Sequence, residues 1–267
     1  MLLSLNYSVS KRTVVNDFVE GELLGSELKL RGEIKPGDAE KLVATLISSR
    51  TLGKNGQPMY LGHIIHLDSP GGDIAESLKI AAVVKSSYLN IWVGDGKKPR
   101  PAICASSCFL IYLAGAIRYA IGSDVPAGWK WSRVNQGIIG IHRPFFANVS
   151  GGPASQSRQE NLMRAMRDKL RDSGLGQNLI DEMMSRPSNE VYWLTTSDLT
   201  SIGQYSPGME EEMIAKCGYR RNQDISTDAT HKEFLMQINC TSTQIEREYG
   251  PLKQANFEKM RSGWRPW

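Results

Sequence analysis

Short apolar runs with the two-residue period of strands alternate with segments of helical period along much of this chain, and this alternation constrains its fold more than any other feature. Residues 27–32 alternate apolar and polar side chains and predict a strand, and residues 39–48 carry an apolar face at helical spacing. Residues 62–68 and 74–86 repeat this strand and helix. Strands that alternate with helices are joined by right-handed crossovers, so the pattern predicts an α/β fold with a largely parallel sheet.

The pattern continues further along the chain. Strands are expected at 90–93, 101–104, 137–142 and 191–195, with one more near 13–19, and helices are expected at 159–173, from 197 and at 243–260.

Composition and charge exclude several classes of function. The net charge of +4 is modest and its cations are scattered among acids, so nucleic acid is not an expected partner. The sequence contains no apolar run of about 20 residues, so no membrane span is expected. The first residues lack the basic region of a signal peptide, which favours a cytoplasmic location, with a periplasmic or exported location as the alternative.

Four cysteines are too few for a disulfide scaffold in a chain of 267 residues. Cys104 and Cys108 flank an apolar stretch and are expected to be small buried residues. If the protein is exported, Cys217 and Cys240 are the expected disulfide. The cysteine and histidine spacings do not match metal sites, so no metal ligands are predicted.

Three clusters of residues that could take part in catalysis each lie at the end of a predicted strand. They span residues 67–73, 104–108 and 140–144. In open α/β sheets, ligands and catalytic groups gather beyond the carboxyl ends of the strands. Consecutive glycines, Gly71 and Gly72, can present backbone N–H groups to a substrate without a Cβ in the way. The local alternative is an ordinary tight turn.

Candidate catalytic side chains occur in the other two clusters. Ser106 and Ser107 follow a strand and begin a helix, where a serine hydroxyl can be nucleophilic or can simply cap the helix. His142 lies at a strand end, where an imidazole can accept the serine proton or have only a structural role.

In combination, these clusters resemble the Clp protease proteolytic subunit and the wider crotonase-like superfamily, which includes Clp-like bacterial proteins described as predicted periplasmic proteins. The resemblance covers residues 28–203 and implies a superhelix of repeated β-β-α units. It implies Ser106 as nucleophile and His142 as base. It also implies that the backbone amides of Gly72 and Ser107 form the oxyanion hole.

The chain departs from the family pattern at the third member of the triad. Val191 occupies the position where the family has an aspartate, and residues 126–131 lengthen the loop between serine and histidine. Glu190, Asn189 or a backbone carbonyl could orient the histidine instead, or the site could be a Ser-His dyad.

The resemblance implies an N-terminal extension at 1–25, a catalytic domain at 26–205 and a C-terminal helical appendage at 206–267. The expected function is that of a Clp-like serine peptidase, a homo-oligomer without metal or organic cofactor that acts on peptide or protein substrates. Two alternatives stay open. One is a crotonase-type enzyme acting on acyl thioesters, and the other is a catalytically silent oligomeric binding or scaffold protein.

Overall fold

The structure is a computed structural model that describes residues 19–24, 27–48, 51–52, 58–59, 64–94, 102–120, 122–123, 137–144, 153–187, 189–221 and 228–267. The strand expected near 13–19 lies almost wholly outside the described residues, and so does the lengthened loop at 126–131.

The described residues form ten strands and eight helices. The strands are β1 (Val19–Leu24), β2 (Glu27–Ile34), β3 (Thr51–Leu52), β4 (Pro58–Met59), β5 (Ile64–Gly72), β6 (Asn90–Val93), β7 (Ile103–Ala105), β8 (Arg118–Tyr119), β9 (Ile138–Ile141) and β10 (Tyr192–Trp193). The helices are α1 (Asp38–Ser48), α2 (Ile74–Ser86), α3 (Cys108–Leu113), α4 (Pro153–Asp172), α5 (Gln177–Ser185), α6 (Thr196–Ile202), α7 (Pro207–Cys217) and α8 (Asp228–Arg261).

Eight of these strands form one curled, largely parallel sheet, which confirms the predicted α/β class. The strand order is β1-β2-β5-β7-β9-β10, with β6 and β8 branching from β5. Only the β1–β2 and β9–β10 pairs are antiparallel among the described strands of this sheet. The repeated β-β-α superhelix stays a prediction.

Strand β5 changes partner along its length, and this change positions the candidate site. Its first half, Ile64–Leu67, pairs with β6, whereas Ser69 pairs with Cys104 of β7. Strand β7 in turn pairs with β9. The ends of β5, β7 and β9 therefore lie side by side, and each end carries one of the three sequence clusters, with residues 67–72 of the first cluster inside β5 itself.

The hydrophobic core lies between the sheet and helices α1, α2 and α3, and the C-terminal helix α8 contributes to it. Phe257 and Met260 of α8 are buried in the same cluster as Leu42 of α1 and Phe109 of α3. Full burial of a phenylalanine side chain contributes about 1.5–3 kcal/mol. The end of α8 is thus part of the main core, while the domain boundary at 205/206 stays a prediction.

The C-terminal helices differ most from the sequence-based expectation. Helix α8 begins at Asp228 instead of residue 243, and α4 begins at Pro153 instead of residue 159. Helices α5 and α7 were not predicted. In the part of the chain that the structure describes, no helix is long and apolar enough to cross a membrane.

Both pairs of cysteines form disulfides. Cys217 of α7 is bonded to Cys240 of α8, the pair expected for an exported protein. Cys104 and Cys108 are fully buried as predicted, but they are also bonded to each other, which was not predicted. The turn between β7 and α3 brings their Cα atoms to 5.3 Å, within the usual range for a disulfide.

Candidate active site

The turn between β7 and α3 gives Ser106 an unusual backbone conformation. Its φ is +58°, in the left-handed region that residues other than glycine rarely adopt. Such a conformation costs on the order of 1–3 kcal/mol and persists only when its surroundings hold it. The Ser106 N–H donates to the Gly140 carbonyl of β9 at 3.0 Å, and the Ser106 carbonyl accepts from the Phe109 N–H at 3.0 Å.

Ser106 is also the accessible residue of this turn. Within the described segment 102–120, Cys104 and Ala105 are buried, and so is every residue from Ser107 to Ala116, whereas Ser106 is partly exposed. Ser106 is thus a partly exposed residue between a buried strand end and a buried helix.

Gly71 lies directly against this turn. A Cβ built on Gly71 would lie 2.7 Å from both the Ser106 Cβ and the Ala105 carbonyl oxygen. The Gly71 N–H donates to Ser69 Oγ at 3.1 Å, and that hydroxyl donates to the Gly32 carbonyl at 2.6 Å. Ser69 is fully buried, so it anchors the glycine turn to β2. This contact was not predicted, although Ser69 belongs to the first cluster.

The hydroxyl of Ser107 binds the neighbouring glycine turn. Ser107 Oγ donates to the Gly72 carbonyl at 3.1 Å and makes no capping hydrogen bond to α3. On the other side of β5, the Asp73 N–H donates to the Ile34 carbonyl at 2.9 Å. Gly72 has a φ of +149°, and a Cβ there would lie 2.2 Å from the Ile34 oxygen, so this position requires glycine.

His142 follows β9, whose Gly140 pairs with Ala105 of β7. The backbones that carry the candidate serine and histidine are therefore neighbours. The partly exposed His142 ring has its Nδ1 2.8 Å from the Arg143 carbonyl oxygen. A carbonyl only accepts hydrogen bonds, so Nδ1 is the donor in this contact.

The structure does not join the two side chains directly. Among the hydrogen bonds of the described residues, none connects Ser106 Oγ with His142. Glu190 and Asn189 are exposed, and the Glu190 carboxylate lies 3.9 Å from Arg186 Nη1. Glu190, Asn189 and a backbone carbonyl were the candidates to orient His142, and the group in contact with its Nδ1 is the Arg143 carbonyl.

Shifted pKa values occur away from this turn. Burial raises the pKa of Tyr112 in α3 to about 12, an effect that the Arg118 charge opposes. Burial likewise raises the pKa of Tyr119 to about 12 and lowers that of Lys253 in α8 to about 8. Because burial is the largest cause in each case, these shifts reflect packing of the core and of the C-terminal helices.

No protein-family model matches this chain, and no curated protein matches it. Among solved structures, it is similar to a mutant of the 1510-N membrane-bound stomatin-specific protease. That likeness has 15% identity and a TM-score of 0.42, and it covers 72% of this chain and 84% of the other. The assignment of a function therefore depends on the geometry of the turn at Ser106.

Proposed function

We propose that this protein is a serine hydrolase, a Clp-like peptidase in which Ser106 is the nucleophile. The conformation of Ser106 is the observation that carries this proposal. A left-handed serine in a sharp strand-to-helix turn, partly exposed while its neighbours are buried, is the arrangement by which hydrolases present a nucleophilic hydroxyl.

The backbone around Ser106 supports an oxyanion hole formed by the amides of Gly72 and Ser107. The Gly72 carbonyl faces Ser107, whereas the Asp73 N–H faces β2. Since the N–H and C=O of one extended residue point to the same side of a strand, this pattern directs the Gly72 N–H toward the Ser106 turn. The Ser107 N–H lies beside Gly71, 3.1 Å from the position of an added Cβ.

In the proposed mechanism, His142 Nε2 takes the proton of the Ser106 hydroxyl as its oxygen attacks the carbonyl carbon of a peptide or ester. The two amides stabilise the negative charge on the tetrahedral intermediate. The leaving group takes the proton from His142 and departs, and water then releases the acyl group from Ser106 by the same route. Neither step needs a metal or an organic cofactor.

The mechanism requires His142 to turn toward Ser106. The ring is only partly buried, so side-chain rotation is not opposed by packing on all sides. Hydrogen bonds between a catalytic base and its nucleophile are often long or absent until substrate binds. Because Val191 stands where the family has an aspartate, the turned ring would lack the charge that an aspartate supplies in a full triad, so we expect slow turnover.

Labelling with a fluorophosphonate probe tests this proposal. The wild-type chain is expected to form one adduct, located at Ser106 by peptide mass spectrometry, and Ser106→Ala is expected to abolish it. Ser107→Ala is the matched control, because it removes a neighbouring hydroxyl but keeps the backbone amide. His142→Ala is expected to slow labelling by about 10²-fold or more.

Two outcomes would count against the proposal. A folded wild-type chain that never reacts would favour the silent scaffold protein. Thioester cleavage that persists unchanged in Ser106→Ala would favour the crotonase-type enzyme. If Ser106 reacts, cleavage of a mixed peptide library, followed by mass spectrometry, tests whether the substrate is a peptide.

A further inference from the structure

The Cys104–Cys108 disulfide encloses the candidate nucleophile. Cys104 lies in β7, Cys108 is the first residue of α3, and Ser106 is the middle residue between them. Both cysteines are completely buried. The covalent bond therefore lies on the core side of the turn, while the serine is partly exposed.

The bond joins the two elements whose relative position determines the conformation of Ser106. A residue with positive φ reverts to a more favourable conformation unless the segments on either side are fixed. Two hydrogen bonds and the contact with Gly71 restrain the turn at its outer side. The disulfide fixes the distance between β7 and the start of α3 on the inner side.

We propose that the Cys104–Cys108 disulfide is a positioning element of the active site, which holds Ser106 in its left-handed conformation and the Ser107 amide toward the substrate. This inference rests on the function proposed above. It adds that the rate of reaction at Ser106 depends on the oxidation state of two residues that touch neither substrate nor the reacting atoms.

The second disulfide provides a matched control. Cys217 and Cys240 join α7 to α8 and close a longer segment, with a sequence separation of 23 against 4. Cys217 packs against the second hydrophobic cluster, beside Tyr205 and Met209, rather than against the turn at Ser106. Loss of this bond should lower stability without altering the reaction at Ser106.

The experiment compares the full chain with two double variants, Cys104→Ala/Cys108→Ala and Cys217→Ala/Cys240→Ala, all folded under oxidising conditions. The fluorophosphonate reaction is resolved into the maximal inactivation rate and the probe concentration at half that rate. We expect the first variant to lose at least tenfold in the maximal rate, with little change in the half-saturating concentration. The Cys217→Ala/Cys240→Ala variant should match the wild type in both the maximal rate and the half-saturating concentration. Cys104→Ala alone and Cys108→Ala alone should each behave like the double variant that lacks both cysteines.

A second measurement removes the same bond without substitution. In the Cys217→Ala/Cys240→Ala background, the chain is refolded from urea with dithiothreitol. The dithiol gives two electrons and two protons to the Cys104–Cys108 bond, which becomes two thiols, and the reagent becomes a cyclic disulfide. This reduced chain should react at the slow rate, and reoxidation by glutathione disulfide should restore the fast rate.

The outcomes separate this inference from the proposed function. If the wild type never reacts at Ser106, the proposed function fails. If the wild type reacts and the variant lacking Cys104 and Cys108 reacts equally fast, the function stands and the positioning role is overturned. If both that variant and the reduced chain lose the native circular dichroism spectrum, the bond serves folding and the inference is also overturned.

Discussion

The left-handed serine and the glycine beside it depend on each other. The turn can hold Ser106 in this position only because Gly71 has no side chain, since a Cβ on Gly71 would lie 2.7 Å from the Ser106 Cβ. Gly71 itself has a φ of +100°, which a larger residue rarely adopts. The conformation of one residue therefore depends on the absence of a side chain on the other.

Replacing Gly71 with alanine tests this dependence. The new Cβ would collide with the backbone at Ala105 and with Ser106, so we expect at least about 3 kcal/mol of destabilisation and loss of labelling at Ser106. Gly37→Ala is the control, because Gly37 also has a positive φ but no atom within 4 Å of an added Cβ. For Gly37→Ala, urea denaturation should show a loss of about 1 kcal/mol in the free energy of unfolding. Probe labelling at Ser106 should be as fast as in the wild type. Equal effects of the two substitutions would contradict the steric argument.

The sequence was enough to predict that three of the proposed site residues are neighbours, while their catalytic roles stay a prediction. Ser106 and Ser107 follow β7 and Gly72 ends β5, and because these strands are neighbours in a parallel sheet the structure brings the three residues together. The partner of His142 could not be predicted, because it is a backbone carbonyl and any residue type supplies one. The Cys104–Cys108 bond was missed although the two cysteines flank the serine, because nothing in the sequence distinguishes a short disulfide from two small buried residues.

Secondary structure was predictable where one face of an element is buried and the other exposed. Helix α2 and strand β6 have the predicted bounds, and α1 begins one residue earlier than expected. Helix α8 begins 15 residues before the expected start at residue 243, because its first half exposes Leu235 and Met236 and so lacks a clear amphipathic period. The internal Pro251 was compatible with the expected shorter helix and is accommodated within the longer one.

Helix α8 also buries an amine, which makes stability depend on pH. Lys253 is 8% exposed, and burial lowers its pKa to about 8, against about 10.4 in an unfolded chain. Between these values the unfolded chain holds a proton that the folded chain has released, so the free energy of unfolding rises with pH, by about 3 kcal/mol over the whole window. Below pH 8 both states are protonated and this contribution is lost.

Lys253→Met keeps the apolar stem of the side chain and removes the amine, so it should be more stable than the wild type at pH 7 by a similar amount. The difference in the free energy of unfolding between Lys253→Met and the wild type should shrink as the pH rises from 8 to about 9.5. This range lies below the pH at which tyrosines ordinarily ionise. Lys232→Met, at an exposed position of the same helix, should leave the pH dependence unchanged. Parallel stability curves for the wild type and Lys253→Met in urea would refute the assignment.

For the whole molecule, the two disulfides should differ in their effects on folding. A disulfide restricts the unfolded chain in proportion to the logarithm of the loop that it closes. With sequence separations of 4 and 23, this model gives about 2 kcal/mol for Cys104–Cys108 and about 3.5 kcal/mol for Cys217–Cys240. Urea denaturation of the two alanine double variants should show this order. A larger loss of stability without Cys104–Cys108 than without Cys217–Cys240 would mean that the short bond also stabilises the folded state directly.

Self-association remains a prediction, and the exposed face of α8 suggests where it could occur. Leu235, Met236 and Ile238 are 47%, 58% and 40% exposed, and exposed apolar patches commonly mark protein interfaces. Sedimentation velocity of the wild type should show an oligomer, and Leu235→Lys/Met236→Lys should shift it toward the monomer. Leu252→Lys, at a similarly exposed position of α8, is the control. A wild type that sediments as a monomer would exclude the interface.

The bond beneath Ser106 would also determine when the protein becomes active. Disulfides form in secretory and periplasmic compartments and are rare in the cytosol, so the two bonds would form if the chain is exported, the alternative location given above. During its synthesis in a reducing compartment, Cys104 and Cys108 would be thiols and the turn between them would be loose. Such a hydrolase would react slowly where it is made, and oxidation after export would raise its rate.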